Sequence, residues 1–166
     1  MKKKKDSDSE IKRYCHQNKK LKIEKQIFKT CQAKEITIEK IEKLINLKAN
    51  LNLKNENQKT PLQLCLSNSN ANLNIIEFLL NQNSGINLRD ENNKITLHRA
   101  AENANSDHLI IRLLLDNKAE INAKSRSKKI PLHCACENEN LSLDSIKILI
   151  EAKSDLNSKD RFSYRF

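Results

Sequence analysis

Residues Lys94–Lys129 read K-I-T-L-H-R-A-A-E-N-A-N-S-D-H-L-I-I-R-L-L-L-D-N-K-A-E-I-N-A-K-S-R-S-K-K, and this pattern recurs in register along the chain. It holds a turn signal, a short apolar run, an Asn-rich break, a second apolar run and a polar tail. Its clearest marker is an asparagine that returns every 35 residues, as Asn52, Asn87, Asn122 and Asn157. A fixed period of this length indicates a stacked array, because one unit cannot bury its apolar face alone.

Each unit contains two segments with a helical pattern. In residues 109–115 only Arg112 interrupts apolar side chains that recur at helical spacing. The second helix is predicted at residues 38–46, with Thr37 as its N-cap, and again at residues 73–81. Three leucines coincide in the first helix of successive units and are predicted to share one buried seam. They are Leu62, Leu97 and Leu132.

Three segments in register carry a resemblance to a known family. They are Thr60–Cys65 (T-P-L-Q-L-C), Ile95–Ala100 (I-T-L-H-R-A) and Ile130–Ala135 (I-P-L-H-C-A). They resemble the T-P-L-H-x-A opening of the ankyrin repeat, and the ending Ala119–Asn122 (A-E-I-N) resembles the family's A-D-V-N. The resemblance covers about residues 25–164. It implies an all-α ankyrin-repeat solenoid of stacked antiparallel helix pairs with protruding hairpin fingers.

The repeat register predicts how the chain is divided. Lys43 stands where Phe78 and Leu113 stand later, which is expected of a capping repeat with an exposed outer face. The chain stops where a further opening motif would begin, so we expect either a longer array or an uncovered apolar end. The predicted segments are a basic, largely disordered leader (1–20), a repeat domain (21–164) made of a degenerate capping repeat (21–59) and three repeats (60–94, 95–129, 130–164), and the truncated start of a next repeat (165–166).

Two departures from the family pattern affect the expected stability. The family places glycine after the second helix, whereas this chain has Lys48, Asn83, Lys118 and Lys153. A residue other than glycine in a left-handed cap costs on the order of 1 kcal/mol, so we expect a foldable array of modest stability. The break between the helices is Asn-x-Asn instead of glycine, and asparagine is expected to adopt the left-handed conformation there.

Composition and charge limit the classes of protein to which this chain can belong. The net charge is +10, and residues 1–22 alone hold nine Lys or Arg against three acidic residues. The N-terminus lacks the apolar stretch of a signal peptide, and no apolar run approaches the roughly 20 residues of a membrane span. We therefore expect a cytoplasmic protein whose basic tail is a solvated leader or, alternatively, a nuclear-import signal or a contact for an acidic partner.

The residues that suggest chemistry have structural interpretations. Cys134 and Cys136 lie on a predicted helix with directions about 200° apart, so they cannot face one metal ion. In the repeat register Cys65 shares a position with Ala100 and Ala135, and Cys31 and Cys136 share the next one, where by the resemblance the family packs small residues. By the same resemblance, His98 and His133 occupy the family's structural histidine. The single glycine, Gly85, excludes phosphate-binding glycine loops, and we expect no catalysis, metal or cofactor.

The resemblance implies a non-catalytic scaffold or adaptor that binds another protein through a concave groove. Lys59, Lys94 and Lys129 share one register position and are predicted to form a basic ridge for an acidic or phosphorylated segment. Two alternatives stay open: a regulatory part of a larger signalling enzyme, or a basic binder of nucleic acid or anionic surfaces, which the scarcity of aromatic residues disfavours. The predicted partner-binding residues are Lys54, Glu56, Asn57, Lys59, Ser67, Asn68, Arg89, Glu91, Asn92, Lys94, Glu102, Asn103, Lys124, Arg126, Ser127, Lys129, Glu137 and Asn138.

Overall fold

The computed structural model describes residues 2–68, 72–103 and 106–162, with side chains placed from Arg13 onward apart from Tyr14. Across these ranges the chain forms eight helices and no β-strand. The expected end of the last repeat at residues 163–164 and the start of a next one at 165–166 lie outside the described residues. The helices are α1 (Lys2–Gln32), α2 (Ile38–Asn46), α3 (Pro61–Leu66), α4 (Leu73–Asn81), α5 (Thr96–Glu102), α6 (His108–Asp116), α7 (Pro131–Glu137) and α8 (Leu143–Glu151).

The helices pair in chain order, and the pairs stack into an array. The odd-numbered helices α1, α3, α5 and α7 contact one another in sequence, and α4, α6 and α8 form a second row. Leu62 and Leu97 are 0% exposed and Leu132 is 8% exposed. The predicted leucine seam and the all-α solenoid are therefore confirmed. The core is continuous along the array, because each helix pair covers the apolar face of its neighbour.

Capping residues determine where the helices begin. The Oγ1 of Thr37 accepts the N–H of Lys40 at 3.4 Å, so the predicted N-cap is correct. The helices after Thr37 and Asn72 have the bounds predicted from sequence. In α3, Thr60 and Gln63 form a reciprocal capping box, with 2.9 Å from the Thr60 N–H to the Gln63 Oε1.

The predicted left-handed helix ends are confirmed. Lys48, Asn83, Lys118 and Lys153 have φ angles of 66°, 57°, 67° and 64°. Gly85 is not among the residues with positive φ. The array therefore places Cβ-bearing residues at every position where its second helices turn, and each carries the steric cost of that conformation.

The described asparagines of the helix–helix break are not left-handed as expected, and Asn70 and Asn105 lie outside the described residues. Asn103 and Asn138 have φ angles of −84° and −92°, which are ordinary values and not left-handed. Their side chains instead donate backward to the preceding repeat, from Asn103 to the Leu66 carbonyl at 2.7 Å and from Asn138 to the Ala101 carbonyl at 3.1 Å. Asparagine is used here because its amide satisfies a carbonyl left unpaired at a helix end.

The asparagines with a 35-residue period link each repeat to the next. The Asn87 amide donates to the Lys118 carbonyl at 3.0 Å, and its oxygen accepts the Glu120 N–H at 3.0 Å. Asn52 and Asn122 make the same pair of bonds one repeat earlier and one repeat later. One side chain thereby fixes the loop before the following finger.

The N-terminal segment differs from the expected disordered leader. Helix α1 runs from Lys2 to Gln32, and its packed part includes the fully buried Ile27 and Cys31. This segment contains no glycine or proline and is rich in lysine, a good helix former. Once the packed turns exist, extending the helix adds one hydrogen bond per residue, which explains why the helix continues upstream.

Candidate functional site

The fingers and the ends of the inner helices meet along one groove. The Lys94 ammonium forms an ion pair with Glu102, and the Lys129 Nζ lies 2.5 Å from the Glu137 Oε1. Each lysine closes a finger, and each glutamate ends the inner helix of the repeat that follows that finger. Ser67, Arg99 and Asn103 join Glu102 around one depression of about 220 Å³. A neighbouring depression of about 370 Å³ is lined by Glu102, Cys134, Glu137, Asn138, Glu139 and Asn140.

A buried carboxylate organises the second finger. Asp90 is 4% exposed and accepts the N–H groups of Asn92 and Lys94 at 2.8 and 2.9 Å. Its other oxygen accepts from the Arg99 guanidinium, which also reaches the Glu102 Oε2 at 3.1 Å. Burial by itself would raise the pKa of Asp90, but these hydrogen bonds and the Arg99 charge hold it below its ordinary value.

The predicted basic ridge is neutralised in two of its three members. Lys94 and Lys129 are paired with glutamates of the helices that follow them, and the hydrogen bond to Glu137 raises the pKa of Lys129. Lys59 differs because Ser67 stands where the later repeats have those glutamates. Burial lowers the pKa of Lys59, and the charge of Arg99 lowers it further. The carboxylates of Asp90, Glu91 and Glu102 oppose both effects, and among the described residues Lys59 is the member of the ridge without an ion pair.

The break asparagines have a structural role at the groove floor. Asn68 donates to the carbonyls of Cys31 and Ala33 at 3.1 and 2.9 Å. The bonds of Asn103 and Asn138 described above are equivalent. These three predicted contact residues line the groove with amides already engaged in cross-links, so a partner would meet an ordered surface.

Another cationic row follows the fingers. Lys54 Nζ donates to the Arg89 carbonyl at 2.7 Å, and Arg89 Nη1 donates to the Lys124 carbonyl at 3.0 Å. Arg89 also lies 3.3 Å from the Glu120 carboxylate. These residues tie neighbouring fingers together and are not gathered with Lys59. Ser127, whose carbonyl accepts the Arg161 N–H at 2.9 Å, is partly buried. The exposed predicted residues of the fingers are Lys54, Glu56, Asn57, Glu91, Asn92, Lys124 and Arg126.

Arg99 and Cys134 also line the groove, although neither is among the residues predicted from the sequence. They occupy one register position, where the first full repeat has Leu64. The sequence does contain a signal for Arg99, which is a charged residue among the mostly apolar residues that begin the helix. The sequence alone does not define the position of the finger that supplies Asp90, so the ion pair with Arg99 is visible only in the fold.

His98 joins its own helix start to the next finger. Its Nδ1 accepts the Ile95 N–H at 3.3 Å, and its Nε2–H donates to the Lys129 carbonyl at 3.0 Å. Gln63 takes this place one repeat earlier, with its Nε2 3.1 Å from the Lys94 carbonyl. Burial lowers the pKa of His98, although the Lys129 carbonyl opposes the shift. The structural interpretation of this histidine agrees with these bonds.

Replacing His98 with glutamine is expected to make stability less sensitive to mild acid. Because the folded pKa of His98 is depressed, its contribution is complete above the ordinary value of 6.5 and is lost as the pH falls through the lower folded value. Gln63 shows that glutamine makes both bonds. We expect His98→Gln to lie within about 1 kcal/mol of wild type at pH 7. Its urea midpoint should then fall less between pH 7 and pH 5, and parallel curves for the two proteins would contradict this.

A profile for ankyrin repeats in three copies matches residues 27–125 and 69–160. The chain belongs to the ankyrin repeat family. Ankyrin repeats are a common protein-interaction module, and their fold is typically non-catalytic. No individual curated protein matches the sequence. The family match covers the fingers and the inner helices that form the groove of this ankyrin array.

Cys31 and Cys65 of the ankyrin array are buried, as the repeat register predicts, whereas Cys136, at the position equivalent to Cys31, is exposed. Cys134 is 3% exposed whereas Cys136 is exposed, so the two side chains do not share a site. Burial, with the nearby Glu102 carboxylate, raises the pKa of Cys134 to about 12, and its thiol donates to the Glu102 Oε1 at 3.6 Å. Within the described ranges no group of three His, Cys, Asp or Glu could hold a metal ion. None of the helices there is long and apolar enough to cross a membrane.

Proposed function

We propose that this ankyrin array is a scaffold or adaptor that binds a segment of a partner protein in the groove and performs no chemistry itself. The observation that carries the proposal is the meeting of finger lysines and inner-helix glutamates, which lines one channel with side chains from successive repeats. Variable surface positions on a repeated scaffold are where such folds hold their specificity. In this role the protein acts in the cytoplasm, or in the nucleus where its basic N-terminus is read as an import signal.

The charge of the groove supports an acidic or phosphorylated partner segment at the first full repeat. Lys59 is lowered in pKa by burial and by Arg99, and it has no ion-pair partner within the described part of the chain. An anionic group beside Ser67 would offset the repulsion between these two cations. Carboxylate and phosphate groups both accept from ammonium and guanidinium donors. Glu102 also lines the depression beside Ser67, where its carboxylate is paired with Lys94 and Arg99, whereas Glu137 lines the neighbouring depression.

Ser67→Glu is expected to weaken binding of the true partner by roughly tenfold, equivalent to about 1.4 kcal/mol. The new carboxylate would neutralise Lys59 in the way that Glu102 neutralises Lys94. Because Ser67 is exposed and two later repeats carry glutamate there, the fold should tolerate the change. Partners captured by the full chain and identified by mass spectrometry are titrated against wild type and variant, with binding followed by calorimetry.

Two matched variants complete this test. Lys59→Gln should lose affinity to a similar degree, whereas Lys118→Gln makes the same change in net charge at an exposed loop and should leave affinity unchanged. Equal affinity of wild type, Ser67→Glu and Lys59→Gln would remove the groove assignment. Loss of affinity for generic DNA with rising salt, unaffected by Ser67→Glu, would instead favour the nucleic-acid alternative.

A further inference from the structure

A cavity of about 410 Å³ lies where helix α1 passes the end of α2. This volume is within the range of small-molecule sites in proteins, which is about 300–1,000 Å³. Three lysines, a histidine and two apolar side chains line it, and none of the described residues that line it is acidic. We call it the α1–α2 cavity and define it by His16, Lys19, Lys20, Ile23, Leu47 and Lys48.

The cavity exists because α1 continues through a position where the later repeats form a turn. In those repeats the asparagine with a 35-residue period fills the space at the next left-handed helix end, as Asn52 does by bonding the Asn83 carbonyl at 3.4 Å and the Gly85 N–H at 2.6 Å. Lys48, with a φ angle of 66°, is the equivalent helix end of the first repeat. The residue 35 positions before Asn52 is Gln17, which lies within α1 and is exposed. The passing helix therefore leaves a cavity where a docked asparagine stands elsewhere, and both of its walls are internal segments of the chain.

The lysines of the cavity differ from those of the groove in their pairing. Lys19, Lys20 and Lys48 form no ion pair within the described part of the chain, whereas Lys94 and Lys129 each have a glutamate. Ammonium groups that line one cavity repel one another, and an anion placed between them would offset that repulsion. Lysine binds phosphate as a compact point charge. The cavity is therefore complementary in charge to a ligand with several phosphate groups.

The capped end of α2 limits the repulsion that an anion would meet there. A helix end carries partial negative charge on its unpaired carbonyls. Here the Leu44 carbonyl accepts the Ala49 N–H at 2.9 Å, and the Ile45 carbonyl accepts the Lys48 N–H at 2.8 Å. These carbonyls are thus engaged by the chain itself, and the Lys48 side chain adds a positive charge at the same end.

We propose that the α1–α2 cavity binds a compact ligand with clustered phosphate groups, supplied either by a soluble molecule or by a phospholipid headgroup. The phosphates lie among the lysine ammonium groups, while Ile23 and the 52% exposed Leu47 contact the carbon frame that carries them. A nucleic-acid strand is disfavoured, because none of the described residues that line the cavity is aromatic and able to stack on bases. The cavity shares no residue with the groove, so the proposal stands independently of the proposed function.

The binding test uses the full chain and inositol hexakisphosphate, a small soluble ring with a phosphate on every carbon. Isothermal titration calorimetry should detect its binding. Phosphatidylcholine vesicles that contain phosphatidylinositol bisphosphate are then compared, by co-sedimentation, with vesicles that contain phosphatidylserine at equal total charge. Preference for the bisphosphate vesicles, reversed by inositol hexakisphosphate, would assign a lipid headgroup. Binding of the soluble probe without a preference between the vesicles would assign a soluble ligand.

Two matched pairs of substitutions locate the contact. Lys20→Gln with Lys48→Asn should weaken binding of inositol hexakisphosphate by about tenfold or more, because two charged donors are lost. Asn83 takes the position of Lys48 one repeat later with a φ angle of 57°, so the fold should tolerate this change. Lys22→Gln with Lys118→Asn makes the same change in net charge, on the same helix and at another left-handed helix end. Because charges outside the cavity are screened by salt, this pair should leave affinity within about twofold of wild type.

Four outcomes would overturn the proposal. The first is absence of binding to inositol hexakisphosphate, and the second is an equal loss of affinity in both pairs of variants, which would show only a diffuse attraction to a basic chain. The third is a loss caused by Ser67→Glu and not by the cavity variant, because the phosphates would then lie in the groove. The fourth is tighter binding of a single-stranded oligonucleotide that the cavity variant weakens, which would assign the cavity to nucleic acid.

Discussion

Changing Lys48, Asn83, Lys118 and Lys153 together to glycine is expected to raise the free energy of unfolding by roughly 3 kcal/mol. All four residues have φ angles between 57° and 67°, where a Cβ costs on the order of 1 kcal/mol. Glycine removes that cost, although the greater freedom of glycine in the unfolded chain offsets part of the gain. Urea unfolding followed by circular dichroism at 222 nm would show a higher midpoint.

The neighbouring residues provide a control for this substitution. Gln82 and Asn117 directly precede two of the left-handed residues and have φ angles of −89° and −86°. Glycine relieves no strain there, and Gln82→Gly and Asn117→Gly should each destabilise by roughly 0.5–1 kcal/mol. If glycine at residues 82 and 117 acted like glycine at 83 and 118, backbone strain would not be the cause.

Leu97→Ala is expected to lower the free energy of unfolding by about 3 kcal/mol. Leu97 is 0% exposed in the seam of the central repeat, and truncating a buried leucine loses transfer free energy and leaves a cavity. Alanine is a good helix former, so the local conformation of α5 gives no additional loss. Urea titration measures the change, and Leu109→Ala, at 42% exposure, should cost less than about 1 kcal/mol.

The same variant tests whether stability is shared between neighbouring repeats. Helix α5 contacts both α3 and α7, so a weakened central repeat should lower amide protection in both neighbours. Exchange that increases in α5 alone, with α3 and α7 as protected as in wild type, would show that the repeats are not coupled through the seam.

Periodicity predicted the scaffold because burial repeats with the sequence. The leucine seam and the bounds of α2 and α4 follow from register, and the left-handed residues follow from the family resemblance, which places glycine at their positions. Helix α1 was not predicted over residues 2–20, since its extension depends on the packed turns around Ile27. Apolar patterning gives no information about a charged helix that projects from a core.

The groove was predicted only in outline. The register identified Lys94 and Glu102 as separate candidates, but their ion pair depends on how a finger folds over the helix that follows it. The same spacing joins Lys129 to Glu137, and Ser67 interrupts it after Lys59. The spacing from Lys94 to Glu102 equals the spacing from Lys129 to Glu137, and a comparison of the two would have indicated both ion pairs. The backward bond of Asn103 to the preceding helix needs the stacked geometry and has no local signal.

The length of α1 bears on how quickly the proposed partner would arrive. The helix continues to Lys2, and its stretch from Lys2 to Cys15, upstream of the residues that border the end of α2, is about 20 Å long. Basic residues outnumber acidic ones along it, and this rod therefore carries positive potential well beyond the groove. Such a field accelerates diffusional encounter with anionic molecules and is screened by salt, while the lifetime of a formed complex depends on short-range contacts. The helix would thus act on the association rate, whereas Lys59 and its neighbours would govern dissociation.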